Sequence, residues 1–243
     1  MKGIILAGGT GTRLFPLTRL MNKHLLPVGS SPMICYGIER LRDAGITDIL
    51  LVISKQSAGL YTDFLGSGSE IGVKLTYKIQ EEAGGIAEAL DLAKGFIVPG
   101  DRFVVLLGDN LFLDSLQPFT DKFLKQPEGT ARVLLKQVDD PERYGVPVFS
   151  PDNPERIAKI EEKPKHPQSN YCVTGIYMYD YQVFEIIANT EPSARGELEI
   201  TDVNNWYALD LKLEYDVLHS WWTDAGTFAS LKEAAERMNG SEL

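Results

Sequence analysis

A short apolar run at the start of the chain is followed by glycines and then by basic residues. The run at residues 3–7 has the length of a buried parallel strand. The glycines that follow it are Gly8, Gly9 and Gly11. Because glycine has no side chain, a ligand can approach the backbone there, and the exposed N–H groups bind anions. Arg13 and Lys23 bring positive charge to the same stretch, which therefore predicts a polyphosphate-binding loop.

Two common phosphate-binding motifs do not fit this loop. A P-loop requires Gly-Lys followed by Ser or Thr, and neither tripeptide occurs in the chain. The dinucleotide motif G-x-G-x-x-G fits Gly9 and Gly11 but meets Leu14 at its third glycine position. The positions about twenty residues further on, 29–32, contain no acid for a ribose. The loop therefore belongs to another class of phosphate site.

Two aspartates are candidates for a metal site. Asp109 follows the very apolar strand predicted at 102–107, within Gly108-Asp109-Asn110. Open α/β sheets bind ligands at the carboxyl ends of their strands, and carboxylates suit Mg²⁺, which keeps several water ligands. Asp224 belongs to the motif W-x-D-x-G-T at 222–227. Taken alone, each aspartate is equally typical of a turn.

An amide side chain and a glycine pair follow the strand predicted at 73–79. Gln80 can donate to and accept from the edge of a pyrimidine base, and Gly85 leaves room for that base. The segment then enters a helix predicted at 86–96. These features predict a base-binding loop, with an ordinary strand-to-helix connection as the alternative.

The composition is that of a globular protein without nucleic-acid or membrane partners. Of 243 residues, 44% are hydrophobic and 24% charged, and the formal net charge of −10 argues against nonspecific binding to nucleic acid. No apolar run approaches the roughly twenty residues that span a bilayer, and the amino terminus lacks a signal-peptide pattern. Cys35 and Cys172 are expected to be reduced and buried, with a single disulfide between them as the alternative. The protein is therefore expected to be cytoplasmic.

Apolar runs alternate with helical segments through the first half of the chain, which favours βαβ units in a mostly parallel α/β sheet. Strands are predicted at 3–7, 49–53, 73–79 and 102–107, and helices from Ser31 to Gly45, with Pro32 at the first helical position, and at 58–65 and 86–96. Later strands are predicted at 131–138, 144–150, 156–160, 171–179 and 212–218, and helices at 116–125, 181–188, 199–209 and from Phe228. The middle strands, with few helices between them, predict antiparallel additions that hold one of two substrates.

The first motif extends well beyond the glycines. The string L-A-G-G-x-G-T-R-L-x-P-L-T, followed by K-x-L-L-P-V, runs from Leu6 to Val28. It resembles the signature of the sugar-1-phosphate nucleotidyltransferases, most closely their glucose-1-phosphate thymidylyltransferase branch. The resemblance implies one domain over 1–243 with a Rossmann-like three-layer α/β/α fold. It further implies a nucleotide-binding part at about 1–112, a sugar-phosphate part at about 113–225 and a C-terminal helix at 227–239.

The resemblance also implies a reaction and a set of site residues. A sugar 1-phosphate attacks the α-phosphorus of a nucleoside triphosphate, so dTTP and glucose 1-phosphate would give dTDP-glucose and pyrophosphate with Mg²⁺ as cofactor. The implied catalytic residues are Arg13, Lys23, Asp109 and Lys163, and the implied metal ligands are Asp109 and Asp224. The implied nucleotide contacts are Leu6, Gly8, Gly9, Gly11, Thr12, Arg13, Lys23, His24, Gln80, Gly85 and Asp109. The implied sugar-phosphate contacts are Asn110, Tyr144, Gly145, Glu162, Lys163, Val173, Tyr177 and Trp222.

The chain departs from the family pattern at a few positions. Ala83 stands where the family usually has Pro, Glu88 where it usually has Gln, and His24 where many members have Gln. The segment R-G-E-L-E-I-T-D at 195–202 matches the family and is interpreted mainly as a helix entrance. The chain ends soon after the Phe228 helix, so a short form without the family's C-terminal helical extension is expected.

Several alternatives stay open. The enzyme could use UTP or another hexose 1-phosphate, or the chain could be a catalytically silent regulatory protein that binds nucleotide sugars. Retention of both aspartates with Arg13, Lys23 and Lys163 argues against the silent protein. A glycosyltransferase usually has Asp-x-Asp at its metal, and Gly108-Asp109-Asn110 does not fit that motif. Assembly into a homo-oligomer is also open.

Overall fold

The first half of the chain forms alternating strands and helices in a computed structural model that describes residues 1–239. These elements are β1 (Lys2–Ala7), β2 (Pro27–Val28), β3 (Ser31–Pro32), α1 (Met33–Asp43), β4 (Asp48–Ser54), α2 (Ala58–Leu65), β5 (Lys74–Gln80), α3 (Ile86–Asp91), β6 (Arg102–Leu107) and β7 (Asn110–Phe112). Apart from the short β2, β3 and β7, each corresponds to a predicted element. The periodic apolar pattern therefore predicted this half well.

The second half contains more strands than helices, as predicted. Its elements are α4 (Gln117–Leu124), β8 (Ala131–Gln137), β9 (Gly145–Phe149), β10 (Ile157–Glu162), β11 (Tyr171–Asp180), α5 (Val183–Ala188), α6 (Ile200–Leu209), β12 (Leu213–Val217), β13 (Trp222–Asp224) and α7 (Phe228–Asn239). The three-residue strand β13 was not predicted, because so short a segment shows no period.

Within residues 1–239, a seven-stranded sheet has the order β12-β8-β11-β6-β1-β4-β5. Strand β11 runs antiparallel to both of its neighbours, and the other neighbouring strands are parallel. The antiparallel pair β9 and β10 lies outside this sheet. The prediction of a mostly parallel sheet with added antiparallel strands is confirmed.

Apolar side chains cover both faces of the sheet. Along β1, Ile4 and Leu6 belong to one buried cluster, and Ile5 and Ala7 belong to the other. Helices α3, α5 and α6 contribute to the first cluster, and α1, α2 and α4 contribute to the second. Because consecutive side chains of a strand point to opposite faces, both faces of the sheet are covered by helices. This is the three-layer α/β/α fold that the resemblance implied.

Two predicted helix boundaries are wrong. Ser31-Pro32 pairs with Pro27-Val28 as a short antiparallel hairpin, so α1 begins at Met33 and Pro32 precedes it. Helix α3 ends at Asp91 rather than at 96. The chain turns there, since Gly95 has a φ of 87° and the N–H of Ile97 returns to the carbonyl of Ala93. A glycine in the left-handed region interrupts the helical path.

The remaining sequence predictions concern cysteines, helix α7 and membrane segments. Cys35 and Cys172 are both free thiols; Cys172 is buried and Cys35 is partly buried. Helix α7 packs Ala234 and Met238 against an apolar cluster that includes Val28. Across residues 1–239, the helices are too short or too polar to span a membrane.

Candidate active site

The glycine loop leaves the carboxyl end of β1 and is held in place by a buried amide. A Cβ at Gly8 would overlap Gln80 Oε1, and a Cβ at Gly9 would lie 3.3 Å from Lys23 Cε. Gly11 has a φ of 68°, a conformation that favours glycine. Asn22 donates from Nδ2 to the carbonyl of Gly9 at 3.3 Å. The loop therefore packs closely against Gln80 and Lys23, and the positive φ of Gly11 favours glycine there.

Asn22 also fixes the segment that carries Lys23 and His24. Its Oδ1 accepts from the His24 N–H at 3.0 Å and from the Tyr61 hydroxyl at 3.0 Å, and it lies 2.8 Å from His24 Nδ1. Burial, and then the charge of Lys23, lower the pKa of His24 to about 3. His24 is therefore a neutral imidazole. No sequence pattern marks Asn22, because its role depends on a contact with Tyr61 far along the chain.

Asp109 lies at the carboxyl end of β6 beside Lys23. The two side chains form an ion pair and are 11% and 13% exposed. Asn110 Nδ2 donates to the other carboxylate oxygen at 3.1 Å. Burial opposes ionisation of Asp109, but the Lys23 ammonium outweighs it and holds the pKa of Asp109 below its usual range. Asp109 is therefore an anion, and Lys23 is its counter-ion.

Asp224 lies next to Asp109 because strands β7 and β13 pair there. Asp224 is opposite Asn110 in this pair, and the N–H of Ala225 donates to the Asp109 carbonyl at 2.9 Å. Arg13 Nη2 lies 3.9 Å from Asp224 Oδ2. Asp224 Oδ1 is buried and has no hydrogen-bond partner within residues 1–239. Burial, and then the neighbouring Asp109 carboxylate, raise the pKa of Asp224 to about 6.

These two carboxylates are the candidates for holding a cation. No set of three or more His, Cys, Asp or Glu side chains is suitably arranged for a metal within the described residues. Two carboxylates suffice for a cation such as Mg²⁺, which takes its other ligands from water and from phosphate oxygens. The unpartnered oxygen of Asp224 fits such an ion.

The motifs Tyr144-Gly145 and Glu162-Lys163 meet through the pairing of β9 with β10. Gly145 is opposite Glu162, and the Lys163 N–H donates to the Tyr144 carbonyl at 2.9 Å. Lys163 has a φ of 45°, a strained conformation for a residue other than glycine. Thr201 donates to Glu162 Oε2 at 2.7 Å. This turn holds the Lys163 and Glu162 side chains side by side, 2.9 Å apart.

Asn110 connects Gly175 and Trp222, which lie on the same side of the site. Its Oδ1 accepts from the Gly175 N–H at 2.8 Å and from Trp222 Nε1 at 2.8 Å. A Cβ at Gly175 would lie 2.6 Å from Asn110 Nδ2, so a side chain there would displace the amide. Tyr144 packs edge-on against Trp222 with ring centroids 5.6 Å apart. Hydrogen bonds to other protein groups thus use most of the donors and acceptors of the Asn110 amide.

Two cavities meet at these residues. The glycine-loop cavity has a volume of about 390 Å³, and the aromatic cavity about 290 Å³. The glycine-loop cavity is lined by the predicted residues Leu6, Gly8, Gly9, Arg13, Lys23, His24, Gln80, Gly85 and Asp109. The aromatic cavity is lined by the predicted residues Asn110, Tyr144, Gly145, Glu162, Lys163, Val173, Tyr177, Trp222 and Asp224. The charged residues that line both cavities are Arg13, Asp109, Glu162, Lys163 and Glu199. Two ligands in these cavities would therefore meet beside two cations and three carboxylates.

Comparison with known proteins identifies the family. The sequence model of the nucleotidyl transferase family matches residues 2–240. The chain belongs to this family. Among its curated relatives, the glucose-1-phosphate thymidylyltransferase of Neisseria meningitidis is 43% identical over 239 residues, covering 97% of this chain and 81% of the relative. The enzyme of the same name from Xanthomonas campestris is 44% identical over 236 residues, covering 96% of this chain and 79% of the relative.

Solved structures agree with this assignment. A crystal structure from Bacillus anthracis, provisionally named a glucose-1-phosphate thymidylyltransferase and holding a sucrose, has a TM-score of 0.94 at 52% identity. It covers all of this chain, which in turn covers 97% of it. A UDP-glucose pyrophosphorylase with bound UDP-glucose has a TM-score of 0.86 at 24% identity, with 99% of each chain covered. That second likeness shows the fold alone. The chain is a nucleotidyltransferase, and the family prediction is confirmed.

In this nucleotidyltransferase, two predicted nucleotide contacts are not in either cavity wall. Gly11 and Thr12 line neither cavity. A Cβ at Gly11 would lie 2.8 Å from Lys23 Cβ, so Gly11 allows the loop to pack on Lys23 instead. Thr12 begins a short 3₁₀ turn. Their contact with a nucleotide stays a prediction.

The walls of the nucleotidyltransferase site also contain residues that the sequence analysis missed. Segment 195–202 was interpreted mainly as a helix entrance, yet several of its charged and polar side chains reach the cavities. The missed polar lining residues are Arg143, Arg195, Glu197, Glu199, Thr201 and Asn204. The match of 195–202 to the family was the signal that could have found most of them.

The loop after β5 is held from two sides. Leu198 donates to the Gly84 carbonyl at 2.8 Å and accepts from the Ala87 N–H at 3.1 Å. Gly85 has a φ of 106°, and a Cβ there would overlap the Leu198 carbonyl. Glu88 Oε2 accepts from the Gly84 N–H at 2.8 Å. These contacts fix the loop although Ala83 stands where the family usually has Pro.

Proposed function

We propose that the protein transfers a thymidylyl group from dTTP to glucose 1-phosphate, giving dTDP-glucose and pyrophosphate. The observation that carries this proposal is the meeting of the two cavities at Arg13, Asp109 and Lys163. Relatives named glucose-1-phosphate thymidylyltransferase at 43% and 44% identity support the choice of substrates. The arrangement suits two anionic substrates that must react at a shared boundary.

In this proposal the glycine-loop cavity takes the nucleotide. Gln80 and Gly85 face the base, and the loop amides with Arg13 and Lys23 bind the phosphates. Both cations are near carboxylates in the protein alone, Lys23 with Asp109 and Arg13 with Asp224. The positive charge that a triphosphate needs therefore becomes available when these cations turn from the carboxylates to the phosphates.

The aromatic cavity would take the sugar phosphate. Glu162 is oriented by Thr201 and can accept from sugar hydroxyls, while Tyr144 and Trp222 offer apolar ring surface. Arg143 lines this cavity, and Lys163, in the strained turn before Pro164, lines both cavities. Its ammonium can neutralise the sugar phosphate, which would otherwise repel the triphosphate. The division of the chain into a nucleotide part and a sugar-phosphate part stays a prediction.

Asp109 and Asp224 would hold Mg²⁺. The fit rests on the buried Asp224 Oδ1 without a partner in residues 1–239 and on the second carboxylate beside it. When bound, Mg²⁺ supplies charge neutralisation at phosphate oxygens. The residues themselves align the attacking sugar phosphate with the α-phosphorus and stabilise the charge of an in-line displacement. No residue is required as a covalent nucleophile.

A direct assay tests the proposal. The purified protein is incubated with Mg²⁺, glucose 1-phosphate and dTTP, UTP or dCTP in turn, and pyrophosphate is measured. Release with dTTP is expected. No release with any triphosphate would exclude the enzyme, whereas a preference for UTP would overturn only the thymidylyl assignment. Replacing glucose 1-phosphate by other hexose 1-phosphates tests the sugar in the same way. The cytoplasmic location, the lack of nucleic-acid partners and the oligomeric state stay predictions.

Substitution of Lys163 by Ala tests the sugar-phosphate side. Since removal of one charge-assisted hydrogen bond costs about 1.5–3 kcal/mol, we expect the KM for glucose 1-phosphate to rise about tenfold or more. The KM for dTTP should change much less. Lys165→Ala removes a nearby exposed lysine and serves as the matched control. Unchanged KM and kcat in K163A would contradict this role of Lys163.

A further inference from the structure

Glu88 lies behind the predicted base-binding amide. Its Oε2 accepts from Gln80 Nε2 at 2.8 Å and from the Gly84 N–H at 2.8 Å. A Cβ at Gly84 would lie 2.5 Å from the same oxygen, so only glycine allows this approach. Glu88 lines neither cavity, whereas Gln80 lines the glycine-loop cavity. Glu88 therefore acts on a ligand only through Gln80 and the loop.

Glu88 fixes which end of the Gln80 amide faces the glycine-loop cavity. An ionised carboxylate has acceptors and no donor, so it binds the NH₂ end of an amide and repels the carbonyl end. Gln80 Oε1 consequently lies on the other side, against Gly8, where a Cβ would overlap it. No donor within residues 1–239 hydrogen-bonds to this oxygen. The amide thus presents a free acceptor to a ligand, and Gln80 itself is only 8% exposed.

We propose that Glu88 is a positioning residue that selects the nucleotide base by fixing the orientation of the Gln80 amide. This inference rests on the proposed function, because it assumes that Gln80 faces the base. Thymine and uracil carry an N–H at N3, which donates to the Gln80 carbonyl oxygen. Cytosine has an unprotonated N3 whose lone pair is repelled by the same oxygen. Glu88 therefore favours thymine and uracil equally over cytosine.

A glutamine at position 88 would not impose this choice. Its carbonyl oxygen can accept from Gly84 and Gln80 as the carboxylate does, but without its charge. Its NH₂ end can instead donate to Gln80 Oε1 when the Gly84 bond is given up, so the orientation of Gln80 is favoured and no longer enforced. An alanine would leave Gln80 free to turn its NH₂ end toward the base. Loss of the carboxylate should therefore improve the use of dCTP as well as weaken the use of dTTP.

The test compares wild type, Glu88→Ala, Glu88→Gln and the control Glu82→Ala, which removes an exposed acid from the same loop. For each protein, kcat/KM is measured with dTTP, UTP and dCTP at saturating glucose 1-phosphate. We expect the dTTP-to-dCTP ratio to fall about tenfold in E88A and about threefold in E88Q, since a hydrogen bond to a charged group is lost. The dTTP-to-UTP ratio should stay at the wild-type value in all four proteins.

The outcomes separate this inference from the proposed function. No turnover by wild type would overturn the proposed function itself. An active wild type with an unchanged dTTP-to-dCTP ratio in E88A would overturn the role of Glu88 alone. An equal fall of kcat/KM for all three triphosphates would also overturn it, because a merely structural residue affects every base alike. If E88A does not fold, the dTTP-to-dCTP ratio of E88Q is the deciding measurement, because E88Q keeps the size of the side chain and the acceptor for Gly84.

Discussion

Replacing Asp224 by Asn is expected to abolish most turnover and at the same time to stabilise the metal-free protein. The amide keeps the size of the side chain but removes the charge that would hold Mg²⁺ together with Asp109. Loss of one electrostatic contact to the reacting phosphates lowers kcat by roughly 10²–10³-fold. Asp109→Asn should lower kcat to a similar extent. Both are measured as kcat at saturating substrates over a titration of Mg²⁺.

The two variants should differ in stability, which separates loss of function from misfolding. Asp224 has a pKa of about 6 in the fold against an ordinary value of 3.8. A raised carboxyl pKa means that the stability present below about pH 3.8 is lost as the pH rises through about 6, so ionised Asp224 destabilises the protein at neutral pH. Asp224→Asn removes that penalty, on the order of 1–3 kcal/mol. Asp109→Asn leaves Lys23 buried without its anion and should destabilise by about 3–5 kcal/mol.

Thermal unfolding in EDTA at neutral pH measures both effects. Asp121→Asn, which alters an exposed aspartate on α4, is the matched control and should change neither stability nor turnover. Near-normal turnover by D109N or D224N at low Mg²⁺ would show that the metal role is wrong. A lower melting temperature for D224N would contradict the argument from burial and repulsion between the carboxylates.

The sequence predicted the position of Asp109 at the sheet edge, but it did not show which elements bring Asp224 beside it. Asp109 follows an apolar run of full strand length, so the end of β6 and its place at the sheet edge could be inferred locally. Asp224 reaches the site through β7 and β13, which have only three residues each and show no period. Only the resemblance linked the two aspartates. Their adjacency depends on a pairing between segments more than 100 residues apart.

Contacts between distant segments also explain the other missed features. Asn22 is an ordinary polar residue in the sequence, and its role comes from Tyr61 on α2. The segment 195–202 resembled a helix entrance because its acids precede α6, and that interpretation was partly sound. Its position beside Gly84 and Gly85 could not be inferred, since those hydrogen bonds involve backbone groups that carry no sequence signal. Local patterns predicted elements, and packing between loops determined the site.

Replacing Lys23 by Met is expected to lower kcat/KM for dTTP by roughly 10²–10³-fold, because the cation nearest Asp109 and the glycine loop is lost. Lys78→Met, which removes an exposed lysine on β5, should leave the rate unchanged. K23M alone also leaves Asp109 buried without its counter-ion and should destabilise the protein.

The double variant K23M/D109N separates these two consequences of losing Lys23. Removing both members of the buried pair leaves no uncompensated charge, so its free energy of unfolding should recover most of what K23M loses. Its turnover should stay as low as that of either single variant, because both groups act on the same phosphates. Denaturant unfolding and pyrophosphate release are measured on all four proteins of the cycle. Recovery of turnover along with stability would mean that Lys23 serves only to neutralise Asp109 and not to bind the nucleotide.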